Sequence, residues 1–167
     1  MAKKRKKQTD TAAVLFGIYG IIMLYLLFIR GRTAVEGVPY WEQVLSNYNL
    51  TPFHTIHNYW HILTNKAYYM EKWGAASIYR YNARHAFINL AGNVAMFVPL
   101  GALLPAANGK LRKFLRTFFA SAALILTVEV LQLFTLLGSC DVDDLILNLL
   151  GAALGYGIYK RIKKPDC

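Results

Sequence analysis

The chain has 167 residues, a length that fits one domain of ordinary size. Hydrophobic residues make up 56% of it and charged residues only 17%, whereas about a quarter of the residues in soluble domains are charged. A soluble domain this small could not bury so much apolar surface, and a disordered chain would be far more polar. The mean hydropathy of +0.30 and the net charge of +10 therefore predict a membrane protein with basic segments.

Residues 12–29 form the first candidate span, 18 residues without a charge, which is enough to cross a hydrocarbon core of about 30 Å. The basic run before it, residues 3–7, resembles the start of a signal peptide. The apolar stretch is too long for one, however, and a basic segment at 30–32 follows in place of a cleavage site. We therefore expect an uncleaved anchor preceded by a basic cytoplasmic tail, residues 1–11.

A long connection, residues 31–85, follows the first span and carries all three tryptophans. Amphipathic aromatic side chains prefer the lipid headgroup region, so we expect this loop to lie on the outer leaflet. An interfacial or re-entrant helix is expected near residues 53–71, after Pro52. His54, His57 and His61 would share one face of that helix; their spacing could bind zinc, but no HExxH pattern or acidic partner accompanies it, which favours a polar stripe.

Three more candidate spans follow at about 86–105, 114–137 and 143–159. All three contain polar residues. Polar groups inside a span are costly, and they usually face a protein interior or a water-filled cavity. The fold class is therefore predicted as all-α, a polytopic membrane protein with four transmembrane helices in a domain over residues 12–160, followed by a basic tail at 161–167. Pro99 removes a backbone donor from the second span and is expected to kink it.

The placement of basic residues predicts the orientation. The N-terminal tail, the 105–116 connection and the C-terminal segment hold thirteen of the 19 Lys and Arg residues, so both ends are expected in the cytoplasm. We interpret these basic runs as topogenic anchors that contact membrane lipids and not as a nucleic-acid surface. Cys140 then lies at the outer end of the third span and Cys167 in the cytoplasm, so the two cannot pair within one chain.

Polar residues recur at helical spacing in each of the last three spans, all at a similar depth in the outer half of the membrane. We expect them to form one cluster with the three aspartates that begin the fourth span. The members are Asn89, Asn93, Glu129, Gln132, Asp141, Asp143, Asp144 and Asn148.

The cluster has two interpretations. It could be hydrogen-bonding glue between helices, or a pocket open to the outer leaflet. Arg84 or His85 could reach Glu129 from the outer end of the second span, and the sequence leaves open whether Glu129 is charged or protonated. The three aspartates are weak candidates for a metal site; they could attract a cation or an amine, or cap the fourth helix. No cofactor is expected.

Gly151 and Gly155 form a small-xxx-small pattern, GAALG, that permits close helix packing. The same pattern could instead serve as the contact face of a purely structural or partner-binding bundle. The oligomeric state does not follow from it.

Four motifs in order resemble those of the VanZ-like family of bacterial membrane proteins. They are an NLxPF element at 49–53, an NxxGNxxxFxPxG signature at 89–101, ExxQ at 129–132, and DxDDxxxNxxG at 141–151. Many members carry an arginine shortly before the aspartates, where this chain has Gly138 and Ser139. The resemblance implies a protein of the bacterial cytoplasmic membrane and an envelope-facing role, since the founding member is associated with resistance to teicoplanin.

We therefore expect a non-catalytic role at the outer leaflet, in which the protein binds or modifies an envelope lipid, a cell-wall precursor or a lipoglycopeptide. The alternative is an intramembrane enzyme with Glu129 as acid or base and the aspartates holding a divalent cation.

Overall fold

The computed structural model describes residues 2–29 and 35–163, with side chains from residue 8 onward except that of residue 29. The expectations for residues 30–32, Cys167 and the last four residues of the C-terminal tail fall outside this part. The all-α class is confirmed. The helices are α1 (Ala2–Leu24), α2 (Tyr40–Ser46), α3 (His54–Thr64), α4 (Lys66–Trp73), α5 (Ala76–Ala107), α6 (Phe114–Thr135) and α7 (Val142–Ile162).

Three short segments complete the described fold. A π-helical segment, Tyr25–Ile29, continues α1, and a 3₁₀ turn, Gly109–Leu111, connects α5 to α6. Two-residue strands β1 (Tyr48–Asn49) and β2 (Cys140–Asp141) pair in parallel, with Asn49 opposite Asp141. This pair fixes the long loop to the start of α7.

Three of the described helices are long and apolar enough to cross a membrane: α1 with its π-helical extension over Gln8–Phe28, α5 and α6. The helix α7 has 21 residues, which corresponds to about 31 Å, but polar residues at its start lower its hydropathy. The second span was predicted to begin at residue 86, yet α5 begins at Ala76 and its 32 residues extend for about 48 Å. Its first ten residues are mostly polar but contain no helix breaker, and α3 and α4 pack against this helix.

The prediction of one helix near residues 53–71 is wrong in detail, because α3 and α4 are separate helices that meet at Asn65. The backbone N–H of Asn65 donates to the carbonyl of His61 and ends α3 there. The Asn65 side chain donates to the same carbonyl, 3.1 Å away. A local side-chain bond of this kind competes with continued helix, which explains the break.

The apolar core lies between α1, α5 and α6, where Met23, Phe97, Leu100 and Ile125 are buried together. The helix α5 continues through Pro99. One turn before this proline, the Tyr19 hydroxyl donates to the carbonyl of Met96, 2.9 Å away. This bond joins α1 to α5 near the proline.

Glycines allow the backbones of α5 and α7 to come into direct contact. A Cβ on Gly151 would lie 2.1 Å from the Val94 carbonyl oxygen, and one on Gly155 would lie 1.9 Å from that of Val98. Both contacts advance by four residues, so the two helices run in parallel. Gly151 and Gly155 of the GAALG pattern therefore pack against α5 within the chain.

A candidate polar site between three helices

The aspartates at the start of α7 fall into two groups. Asp141 caps α7 by accepting from the backbone N–H of Asp143, 2.8 Å away. Its carboxylate also accepts from the Thr55 hydroxyl at 2.7 Å and from the Asn49 side-chain amide at 3.3 Å. Asp141 thus fixes both the start of its own helix and the loop before α3.

Asp143 caps the start of α3, although it lies far from that helix in the sequence. Its side chain is fully buried. The carboxylate accepts from the backbone N–H groups of Phe53 at 2.5 Å, Thr55 at 2.7 Å and Ile56 at 3.0 Å. These are N–H groups at the start of α3, which have no partner inside their own helix. The carboxylate therefore serves as the N-terminal cap of α3.

These contacts bear on the aspartates as candidate metal ligands. Asp141 and Asp143 are committed to hydrogen bonds with the loop and α3. Across residues 8–28 and 35–163, no group of three or more His, Cys, Asp or Glu side chains is placed to hold a metal ion. The histidines have other contacts: His61 is 3.1 Å from the Tyr69 hydroxyl, and His54 is 3.3 Å from the Asn58 amide.

Asp144 turns in the other direction, toward α5. Its carboxylate accepts from the Asn93 side-chain amide, 2.5 Å away. One turn further along α7, the Asn148 amide donates to Oε1 of Glu129 on α6 over 3.5 Å. Two bonds thus connect three helices. We call Asn89, Asn93, Glu129, Asp144 and Asn148 the three-helix cluster.

The three-helix cluster is partly buried and incompletely bonded. Glu129 is only 4% exposed and Asn148 only 3%. Oε2 of Glu129, Oδ1 of Asn148 and Oδ1 of Asn89 have no hydrogen-bond partner in the described part of the chain. Each buried oxygen left in this way costs about 1–3 kcal/mol. The Asp144 carboxylate also lies close enough to repel that of Glu129 when both are ionised. The cluster is therefore suited to accept a group that carries hydrogen-bond donors or positive charge.

The remaining predicted site residues lie elsewhere. Arg84 is exposed. His85 packs its ring against Tyr59 of α3, with centroids 5.8 Å apart, and so turns toward the loop helices. Gln132 donates to the carbonyl of Leu27 in the π-helical segment, 3.0 Å away, and so attaches α6 to α1.

The sequence analysis missed several residues that hold the loop in place. Asn49 and Thr55 both donate to Asp141. The Asn47 side-chain amide donates to the backbone carbonyl of Gly138. The Tyr40 hydroxyl donates to the backbone carbonyl of Phe134 over 2.7 Å. The signal that could have found Asn49 is the NLxPF element, whose segment lies against the aspartate motif. Thr55 lies just beyond this element and had no such signal.

Cys140 lies at the rim of this region, in β2. Burial raises the pKa of its thiol, and the nearby carboxylates of Glu129 and Asp141 add to the effect. A thiol of this kind forms little thiolate near neutral pH and reacts slowly.

Comparison with known proteins gives a consistent result. The family model VanZ/LLP1 matches residues 16–163. Protein VanZ of Enterococcus faecium is 35% identical over 79 residues, which cover 47% of this chain and 48% of that protein. The chain therefore spans about half the length of this curated relative. No solved structure matches with significance. Because the family model covers most of its length, the chain belongs to the VanZ/LLP1 family.

Proposed function

We propose that α7 is a fourth span and that the protein crosses the bacterial cytoplasmic membrane four times, with both termini in the cytoplasm. The helix is long enough for a span. Its polar residues Asp143 and Asn148 are buried against other parts of the chain and so would not face lipid. The basic segments at 3–7, 110–116 and 160–164 support the orientation.

The proposed role is non-catalytic and belongs to the outer leaflet: binding an envelope lipid, a cell-wall precursor or a lipoglycopeptide in resistance of the teicoplanin type. The likeness to Protein VanZ supports the class of role. The observation that carries the binding site is the set of three buried, unpaired acceptor oxygens on Glu129, Asn148 and Asn89. Acceptors and carboxylates in this arrangement select ligands with ammonium, amide or hydroxyl donors.

The helices α2–α4 would lie above this site at the headgroup level. Their exposed aromatic residues include Trp41, Trp60 and Tyr68. Large amphipathic rings at this level favour contact with headgroups or with a lipid-anchored ligand. The aromatic surface and the three-helix cluster would then contact different parts of one ligand.

An enzymatic role is the second candidate, and the unpaired Oε2 of Glu129 is the observation that favours it. A carboxyl group with a free oxygen in a buried site can move a proton to or from a bound substrate. Chemical change in a lipid-linked wall precursor incubated with the purified protein would distinguish this role from binding alone.

We expect Glu129→Gln and Asp144→Asn to abolish most of the protection that the wild-type chain gives a sensitive Gram-positive host against teicoplanin. The glutamine places a donor where a ligand donor would bind, and the asparagine removes the charge that holds Asn93. Loss of one charge-assisted hydrogen bond is about 1.5–3 kcal/mol, which weakens binding by about tenfold to a hundredfold. The measurement is the minimal inhibitory concentration at matched membrane levels.

The control is Thr127→Val, an exposed position on α6 two residues from Glu129, which should protect as wild type does. Full protection by the Glu129→Gln and Asp144→Asn variants would show that the three-helix cluster is not the site. A wild-type chain without effect would contradict the teicoplanin-type role.

A further inference from the structure

A cavity lies at the end of the bundle opposite to the three-helix cluster. Its volume is about 280 Å³, nearly twice that of a cavity of about 150 Å³ that takes up benzene. One side is apolar and the other is polar and basic. The lining residues are Gln8 and Thr9 of α1, Ala102, Leu103 and Ala106 of α5, Arg112, and Tyr159, Ile162 and Lys163 at the end of α7.

Among the described residues that line this cavity, two are cationic and none is acidic. Nε of Arg112 is buried and has no hydrogen-bond partner in the described part of the chain. The Tyr156 hydroxyl donates to the Arg112 carbonyl over 2.9 Å and so fixes the backbone from which this side chain extends. A buried guanidinium N–H without an acceptor costs free energy, and an anionic oxygen would satisfy it.

Lys163 supplies the second charge. Its Nζ lies 3.3 Å from the Tyr159 hydroxyl and 5.5 Å from the centre of that ring. Neither contact neutralises the ammonium. A planar guanidinium and an ammonium beside one cavity are the combination that proteins use for phosphate.

We propose that this cavity binds the phosphate headgroup of an anionic phospholipid. The apolar side formed by Ala102, Leu103 and Ala106 provides a surface for the first part of an acyl chain, which a free phosphate ion does not have. Basic pockets between transmembrane helices on the cytoplasmic side bind headgroups of this type. The inference rests on the proposed orientation but not on the role proposed for the three-helix cluster, because it uses other residues at the other end of the bundle.

The test is native mass spectrometry of the purified full-length chain in detergent, titrated with phosphatidylglycerol or with phosphatidylcholine. We expect one preferentially retained phosphatidylglycerol per chain. The double variant Arg112→Gln/Lys163→Gln should weaken this retention by about tenfold or more. The matched control Lys110→Gln/Lys113→Gln removes two exposed cations at the same end and should retain the lipid.

Ala106→Phe keeps both cations but fills the apolar side of the cavity, and it should lose the lipid as well. This variant tests lipid binding in the cavity if the double variant does not fold. Equal retention by the cavity variants and the control variant would overturn the proposal. So would equal retention of the two lipids. A third arm uses inorganic phosphate alone: if it stabilises the protein against heat as well as phosphatidylglycerol does, the cavity is a site for free phosphate and not for a lipid.

Discussion

Replacing Gly155 by leucine is expected to prevent the native packing of α5 against α7. The nearest atom to an added Cβ is the Val98 carbonyl oxygen, at 1.9 Å, so the clash is with backbone and cannot be relieved by a change of rotamer. Overpacking of side chains alone costs about 1–3 kcal/mol, and separating two backbones should exceed this range. We expect little monodisperse protein by size-exclusion chromatography in detergent, and a lower midpoint of thermal unfolding for the part that folds.

Gly157→Leu is the matched control, because Gly157 is exposed on the same helix and nothing lies within 4 Å of an added Cβ. It should leave yield and thermal midpoint near those of wild type. A Gly155→Leu protein as stable as the Gly157→Leu protein would contradict the parallel crossing of α5 and α7.

Replacing Asp143 by alanine is expected to release α3 from the bundle. Three backbone N–H groups, those of Phe53, Thr55 and Ile56, would lose their acceptor. Each unsatisfied donor costs about 1–3 kcal/mol, so the total loss should be at least about 3 kcal/mol. Phe53 also has a left-handed backbone conformation (φ 62°), which the hydrogen bond to Asp143 helps to hold. Limited proteolysis should then cut near residues 47–56.

The control is Glu71→Ala, which removes an exposed acid from α4 and should leave the proteolytic pattern unchanged. Asp143→Asn should be intermediate, since it keeps one acceptor oxygen but loses the charge. If Asp143→Ala resists proteolysis as wild type does, then the cap of α3 is not what holds the loop to α7.

Helical periodicity was enough to place Asn93, Asp144, Glu129 and Asn148 on faces that meet. The reason is that polar side chains inside apolar helices have few hydrogen-bond partners other than one another. The close approach at Gly151 and Gly155 followed from the spacing of small residues.

The sequence could not predict contacts that depend on how the long loop folds back. Asp143 belongs to the same acidic motif as Asp144, but one carboxylate caps α3 and the other faces α5. His85 turns to Tyr59 because α3 packs beside the first part of α5. The early start of α5 has the same origin, because α3 and α4 pack against that helix. The break between α3 and α4 is local instead, since it lies at the side chain of Asn65.

A role at the outer leaflet is tested most directly by finding which side of the membrane lies nearest to the three-helix cluster. Cysteine-free protein, made by replacing Cys140 and Cys167 with serine, would receive one new cysteine at Lys66 in α4 or at Lys110 in the α5–α6 connection. Both positions are exposed and lie at opposite ends of the bundle. A membrane-impermeant maleimide should label Lys66→Cys in intact cells, and Lys110→Cys only after the cells are permeabilised. The reverse pattern would place the cluster on the cytoplasmic side and contradict a role at the outer leaflet.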